Sequence, residues 1–202
     1  MFQEMTVTVT GVAPLVLHNG RMADAMDPFA KEVRRLVPKS KKSDDTATLM
    51  GIVEWCGSMY HTEGGYTIAD GIVQWDKKMR PVIPAANVKA MIIEGARKSK
   101  LGKKASAGVM VTHDSLIEYK GPKDLNALMH EPRFMLRKQV RVGQSKVTRS
   151  RPIFWTWGAT FVFEVNPEAI NTEDVLEAIM VAGREVGVCD WKPEHGRFEV
   201  IQ

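Results

Sequence analysis

Met5 to Gly11 alternates strictly, with Met5, Val7 and Val9 on one side and Thr6, Thr8 and Thr10 on the other. That period of two predicts a strand with one buried face. The period then lengthens. Asp27-Pro28 reads as an N-cap followed by a first helical residue, and Phe29, Val33, Leu36 and Val37 keep helical spacing until Pro38 ends the run. Residues 39–44 (Lys-Ser-Lys-Lys-Ser-Asp) have no apolar anchor and predict a charged linker. A second helix follows, with Leu49, Ile52, Val53, Cys56, Met59 and Tyr60 in one apolar stripe and Glu63-Gly64-Gly65 as its stop. Tyr66 to Trp75 predicts one or two short strands. Pro81-Val82-Ile83-Pro84 is an extended lead into a third helix, with Val88, Met91, Ile92 and Ala96 on one face and Lys89, Arg97, Lys98 and Lys100 mostly on the other.

Past Gly102 the chain is small and basic, with Lys103 and Lys104, and Val109 to Val111 resumes as a strand. In Arg133 to Val142 the even positions Phe134, Leu136, Val140 and Val142 are apolar, Lys138 excepted, while Arg133, Arg137, Gln139 and Arg141 are polar. One face of this strand is thus a ladder of arginines. Gly143-Gln144-Ser145 predicts a turn, and Lys146 to Arg151 a second basic strand returning beside the first. Phe161, Phe163 and Val165 alternate in a further strand. Asn171 and Thr172 are N-cap candidates for a helix with Val175, Leu176, Ile179, Met180 and Val186 inward, and Phe198 and Val200 face the core from a last strand.

The core order is strand (5–11), helix (85–98), strand (108–118), strand (159–165), helix (172–186), strand (196–201). This predicts an α+β fold of one domain over 1–202: a βαββαβ, ferredoxin-like or RRM-type core with a helical insertion at 18–80 and a second insertion, the protruding basic hairpin, at 120–157. The chain resembles the RAMP superfamily, and is similar to the RNA-holding backbone subunits of CRISPR effector complexes. The resemblance rests on a first strand running into Leu17-His18-Asn19-Gly20, on Pro81-Val82-Ile83-Pro84 opening a helix, on a β-hairpin "thumb" between the second and third core strands, and on a glycine-containing loop before the last strand with Gly187, Gly196 and Arg197. Ala85-Ala86-Asn87 departs from the family's usual serine or glycine. The size resembles a stand-alone relative, such as one carried by a phage or prophage. The resemblance implies a homo-oligomer or filament along a nucleic-acid strand, with subunits of a CRISPR effector complex as further partners.

Charge sharpens this picture by its distribution. Lys and Arg number 28 against 24 Asp and Glu, a mild excess. Yet Arg133 to Phe163 contains Arg133, Arg137, Lys138, Arg141, Lys146, Arg149 and Arg151 and no acid at all. Clustered cations gain free energy by releasing counterions from a polyphosphate. Phe134, Phe154, Trp155 and Trp157 lie among them, and aromatic planes offer stacking surfaces to unpaired bases. Trp155 and Trp157, at i and i+2 on a stretch read as extended, are expected to point the same way; packing in the core or the hairpin is their other reading. Met91, Met129, Met135 and Met180 are expected in the core. Under the resemblance, Lys89, Lys103 and Lys104 join the hairpin in contacting phosphates.

Three function classes follow: a non-catalytic, sequence-tolerant binder of single-stranded RNA or DNA that multimerises along the strand; an endoribonuclease of the same fold; and a subunit or decoy within a CRISPR complex. The nuclease reading has Asp24 and His18 as candidates, Asp27 being better explained as a helix cap. No P-loop, GxGxxG turn, HExxH helix or CxxC pair occurs. No metal or cofactor is expected. Cys56 and Cys189, far apart in sequence, predict free thiols and a reducing cytoplasm. No signal peptide or membrane span is read from the pattern.

Overall fold

The computed structural model describes residues 1–37 and 44–201, so most of the linker expected over 39–44, and Pro38, lie outside the described residues. In chain order the elements are β1 (Gln3–Gly11), β2 (Leu15–Val16), α1 (Pro28–Leu36), α2 (Asp44–Ser58), β3 (Tyr66–Ala69), β4 (Ile72–Trp75), β5 (Val82–Ile83), α3 (Ala85–Lys98), α4 (Gly102–Gly108), β6 (Val109–Met110), β7 (Ser115–Leu116), α5 (Leu125–Leu128), β8 (Met135–Val142), β9 (Ser145–Phe154), β10 (Gly158–Val165), α6 (Thr172–Glu185) and β11 (Phe198–Ile201). The fold is mixed α+β. No helix among the described residues is long and apolar enough to cross a membrane. The chain divides into two compact units. The first takes Met1–Val16, Val82–Lys120 and Phe154–Gln202; the second takes Leu17–Pro81 and Gly121–Ile153.

The first unit is built on a four-stranded antiparallel sheet in the order β11-β1-β10-β6. Alternation in β1 sends Val7 and Val9 inward and leaves the threonines on the open side. Across from them Phe161, Phe163 and Val165 of β10 and Phe198 of β11 are buried, each phenyl contributing about 2–3 kcal/mol of transfer free energy. The inner layer is α3 and α6. They approach closely because Gly95 has no side chain; a Cβ there would collide with the carbonyl oxygen of Ala178. Asn171 caps α6, its side chain accepting from the Asp174 amide at 2.7 Å.

Three expectations for this unit are corrected. The strand expected over 108–118 is two short strands: β6 pairs with β10, whereas β7 pairs with β5. Between them the Asp114 carboxylate leaves the strand to accept the Ala85 amide at 2.9 Å, capping α3 in place of the missing N-cap side chain. The small, basic stretch 103–108, expected as a loop between helix and strand, is helical and with Gly102 makes the seven residues of α4. Met180 is exposed on α6 rather than in the core.

In the second unit Asp27 caps α1, accepting from the Phe29 and Ala30 amides at 2.9 and 3.4 Å. Phe29 stacks against Tyr66 and Trp75, with ring centroids 4.9 and 5.7 Å apart. β3 and β4 turn through Asp70-Gly71, both left-handed (φ 52° and 79°), the conformation that a two-residue hairpin loop requires. β4 is an edge, and Asn126 completes it: its side chain accepts from the Trp75 amide at 2.8 Å and donates to the Trp75 carbonyl at 2.9 Å. The far half of α2 is buried almost all round, from Val53 to Ser58.

Candidate nucleic-acid interface

β8 and β9 form the basic hairpin, paired from Met135↔Pro152 to Val142↔Ser145. Its loop is Gly143-Gln144, with Gly143 at φ 60°, the left-handed conformation glycine adopts without strain. Arg133 precedes the strand rather than belonging to it: it sits on the short 3-10 turn Pro132–Phe134, 3.7 Å from Glu131, its guanidinium 5.1 Å from the centroid of the Phe134 ring. Direct cross-strand partners share a face. Arg137, Gln139 and Arg141 therefore share one face with Ser150, Thr148 and Lys146, while Leu136, Lys138 and Val140 share the other with Arg151, Arg149 and Val147.

These cations are not equivalent. Arg137, Arg141 and Lys146 are exposed and have no acidic partner among the described residues. Arg141 donates from Nε only to the Gly143 carbonyl, at 3.2 Å. Lys138 is exposed and Arg151 half-buried on the opposite face. Arg149 differs: its guanidinium donates to the Glu54 carboxylate at 2.6 Å. The other oxygen of Glu54 accepts the Ser150 amide at 3.1 Å. Arg149 thus anchors the hairpin to α2, unlike Arg137 and Arg141. The Trp55 indole adds a second anchor, donating to the Phe134 carbonyl at 2.8 Å. Between α2 and the hairpin lies a groove of about 190 Å³ lined by Met50, Gly51, Glu54, Arg137, Thr148 and Ser150, among others.

Glu54 was not singled out by sequence reasoning. Its signal was a lone carboxylate in the apolar run of α2, but its partner is 95 residues away.

The two tryptophans part company. β9 ends at Phe154 and the chain bends at 155–156, so the extended segment that would align them does not exist. Trp155 is exposed at 59% and remains a candidate stacking surface. Trp157 is 3% exposed, donates from its indole to the Ala13 carbonyl at 2.8 Å, and fills the space beside Gly11 where any Cβ would clash. It is a core residue, a correction to the expectation of a stacking pair. Lys89 is half-buried on α3, and Lys103 and Lys104 are exposed on α4. The candidates thus fall in both units: Lys89, Lys103, Lys104, Trp155 and Trp157 in the first, and Arg133 to Arg151 in the second.

Of the nuclease candidates, Asp24 is exposed and committed to a local turn, its carboxylate accepting the Met26 amide at 2.8 Å. His18 is half-buried, its carbonyl accepting from the Tyr60 hydroxyl at 2.8 Å. Burial pushes the Cys189 thiol up to about 12, against a weaker opposing hydrogen bond from Asn87, and pushes Cys56 up as well. Neither is a thiolate nucleophile at neutral pH. Among the described residues no group of three or more His, Cys, Asp or Glu could hold a metal ion.

No protein-family model and no curated protein matches this chain.

Proposed function

We propose that the protein is a non-catalytic, sequence-tolerant binder of single-stranded RNA or DNA that multimerises along the strand. The observation that carries this reading is the hairpin face on which Arg137, Arg141 and Lys146 stand exposed without an acidic partner. Such cations gain most from a polyphosphate, because no internal ion pair has to be broken first. Trp155 supplies an exposed aromatic plane on which an unpaired base can stack.

The sheet order β11-β1-β10-β6 is the arrangement we read as ferredoxin-like, with β1, β6, β10 and β11 as its first to fourth strands. This supports kinship with the RAMP superfamily. In RRM proteins the open sheet face stacks bases on aromatics. Here that face holds Thr6, Thr8, Thr160, Glu4 and Glu164 instead, which favours the hairpin as the contact surface.

Titration of labelled oligonucleotides at several salt concentrations tests the reading. Engagement of about five phosphates gives a log–log salt slope near −3.5, at roughly −0.7 per phosphate for single strands. A flat salt response, or a preference for duplex, removes it. Labelled RNA incubated with the protein, with and without magnesium, stays intact; cutting abolished by Asp24→Ala or His18→Ala would make the protein a nuclease instead.

A further inference from the structure

One face of α2 and one face of the hairpin stand opposite each other across the groove. Ala47, Met50, Gly51 and Glu54 fall at helical spacing on the first, while Arg137, Thr148 and Ser150 share the second with Arg141 and Lys146. The space stays open because Gly51 has no side chain. A Cβ there would stand 3.1 Å from the Ser150 hydroxyl and 3.9 Å from Arg137 Nε. Glycine inside a helix is less stable than alanine, so the opening is kept against helix propensity. At about 190 Å³ the groove is smaller than the roughly 300–1,000 Å³ of pockets for drug-sized ligands, which suits it to a single flat ring system.

Its chemistry changes from rim to floor. Arg137 at the rim is exposed and has no acidic partner among the described residues. The floor holds Glu54 and Ser150, both buried. One oxygen of Glu54 accepts from Arg149 and the other from the Ser150 amide. A carboxylate offers about four acceptor sites, so capacity remains for donors entering the groove. This floor repels a phosphate, which the rim attracts, and it attracts N–H donors. The matching ligand is anionic at one end, N–H-donating at the other and flat between. A nucleotide has that order.

We propose that the groove holds one guanine base of a bound single strand, its N1–H and N2–H donated to the Glu54 carboxylate and its phosphate set on Arg137. Guanine presents two adjacent N–H groups on one edge, which match the fork of a carboxylate. Cytosine and adenine present one amino group. Thymine and uracil present a single N–H between two carbonyls, which the carboxylate repels. Met50 adds a polarisable thioether for contact with the ring. The inference rests on the strand-binding reading and deepens it. Phosphates supply affinity at every sequence, and the groove adds a preference at one position per copy. Arg141 and Lys146 keep the flanking phosphates.

Thymine oligonucleotides with and without one central guanine test it. The guanine strand binds roughly tenfold more tightly, as a bidentate base contact provides. Hypoxanthine in its place lacks the N2 amino group and loses most of that gain. Thr148→Leu and Gly51→Ala narrow the groove from its two walls, and each brings the ratio of the two affinities close to one. Should Gly51→Ala not fold, Thr148→Leu, at an exposed strand position, carries the comparison. A ratio of one in the wild-type chain, or a ratio that the folded variants keep, overturns the proposal and leaves the strand-binding reading standing. If neither strand binds, the strand-binding reading falls and free nucleotides decide the groove. Guanosine monophosphate then shifts the amide resonances of Gly51, Glu54, Thr148 and Ser150 in a saturable way, and uridine monophosphate does not. Equal shifts from the two, or none, overturn the proposal.

Discussion

The two compact units bury different kinds of side chain. Among the described residues, Ser115 is the one buried polar side chain of the first unit, whereas the second buries Glu32, Glu54, Ser58 and Ser150. The first has two long amphipathic helices and three phenyl rings to cover one sheet face, so apolar transfer alone suffices to fix it. The second must hold a two-stranded hairpin whose side chains are mostly polar, and an isolated hairpin is marginal in water. Besides the buried Phe134 and Ile153 side chains, its base is held by polar anchors: Glu54 on Arg149 and the Ser150 amide, and Trp55 on the Phe134 carbonyl. A basic ladder can stay free for a partner only if some other part of the hairpin is secured, and Arg149 is the cation given up to that purpose.

The division of labour among the hairpin cations is open to direct attack. Reversing Arg137, Arg141 and Lys146 to Glu lowers the affinity for single strands on the order of 100-fold or more at low salt, and removing three phosphate contacts flattens the log–log salt slope by about 2. The melting temperature stays within a few degrees, since solvated surface charges are worth no more than about 0.5 kcal/mol each. Unfolding of this variant would show that the ladder, and not only Arg149, holds the hairpin in place.

The tryptophans give the next largest effect. Trp157→Ala removes a core indole and its hydrogen bond to Ala13, at a cost of about 3–5 kcal/mol in denaturant melts. Trp155→Ala changes stability by about 0.5 kcal/mol or less but weakens oligonucleotide binding by about 1–3 kcal/mol. Equal effects of the two on stability would mean that the bend after β9 does not separate them in solution.

Much of the first unit was legible in the sequence, because its signals are local and periodic. Val7 and Val9 alternate with threonines; Val88, Met91, Ile92 and Ala96 mark the inner face of α3; Asn171 marks the start of α6. The failures occur where a distant partner overrides a local pattern. Residues 108–118 break into two strands because Asp114 is drawn to the Ala85 amide, 29 residues away in sequence. Trp157 follows the parity of Trp155 only on an unbroken strand, and the bend at 155–156 ends that parity. The basic ladder was legible as composition and register, but the role of Arg149 was not, because nothing near it in sequence names Glu54.

The anchor itself is the third point of attack. Glu54→Ala leaves the buried Ser150 amide without its acceptor and Arg149 without its counter-charge. An unsatisfied buried amide costs about 2 kcal/mol, and the half-exposed Arg149 adds little because water screens it. Hydrogen exchange at Ser150 and its neighbours reads the loss, which is confined to the hairpin and α2. Exchange that rises equally in β1 and β10 would show that the two units do not differ in what holds them.

Acid gives the smallest and most selective effect. Burial, reinforced by the Arg21 charge and opposed by a hydrogen bond to the Thr62 carbonyl, holds His61 below the ordinary histidine value. The folded chain therefore takes up this proton at lower pH than the unfolded chain, which does so as pH falls below about 6.5. The unfolded state then binds more protons, so stability is lost from that point downward. Glu32 acts in the same direction at lower pH. Its two hydrogen bonds from Arg35 at 2.8 and 2.9 Å, helped by the Gly71 amide and opposed by burial, hold its carboxyl below the usual range. Its contribution is present above the unfolded carboxylate value and fades as pH falls through the folded one. Both groups belong to the second unit. Between pH 7 and pH 5, amides of α1, β3 and β4 should lose exchange protection, after correction for intrinsic rates, before those of β1 and β10. His61→Gln should move the onset of that loss down into the carboxylate range. An onset unchanged by that substitution would remove His61 as its cause, and simultaneous loss in both units would show that acid does not distinguish them.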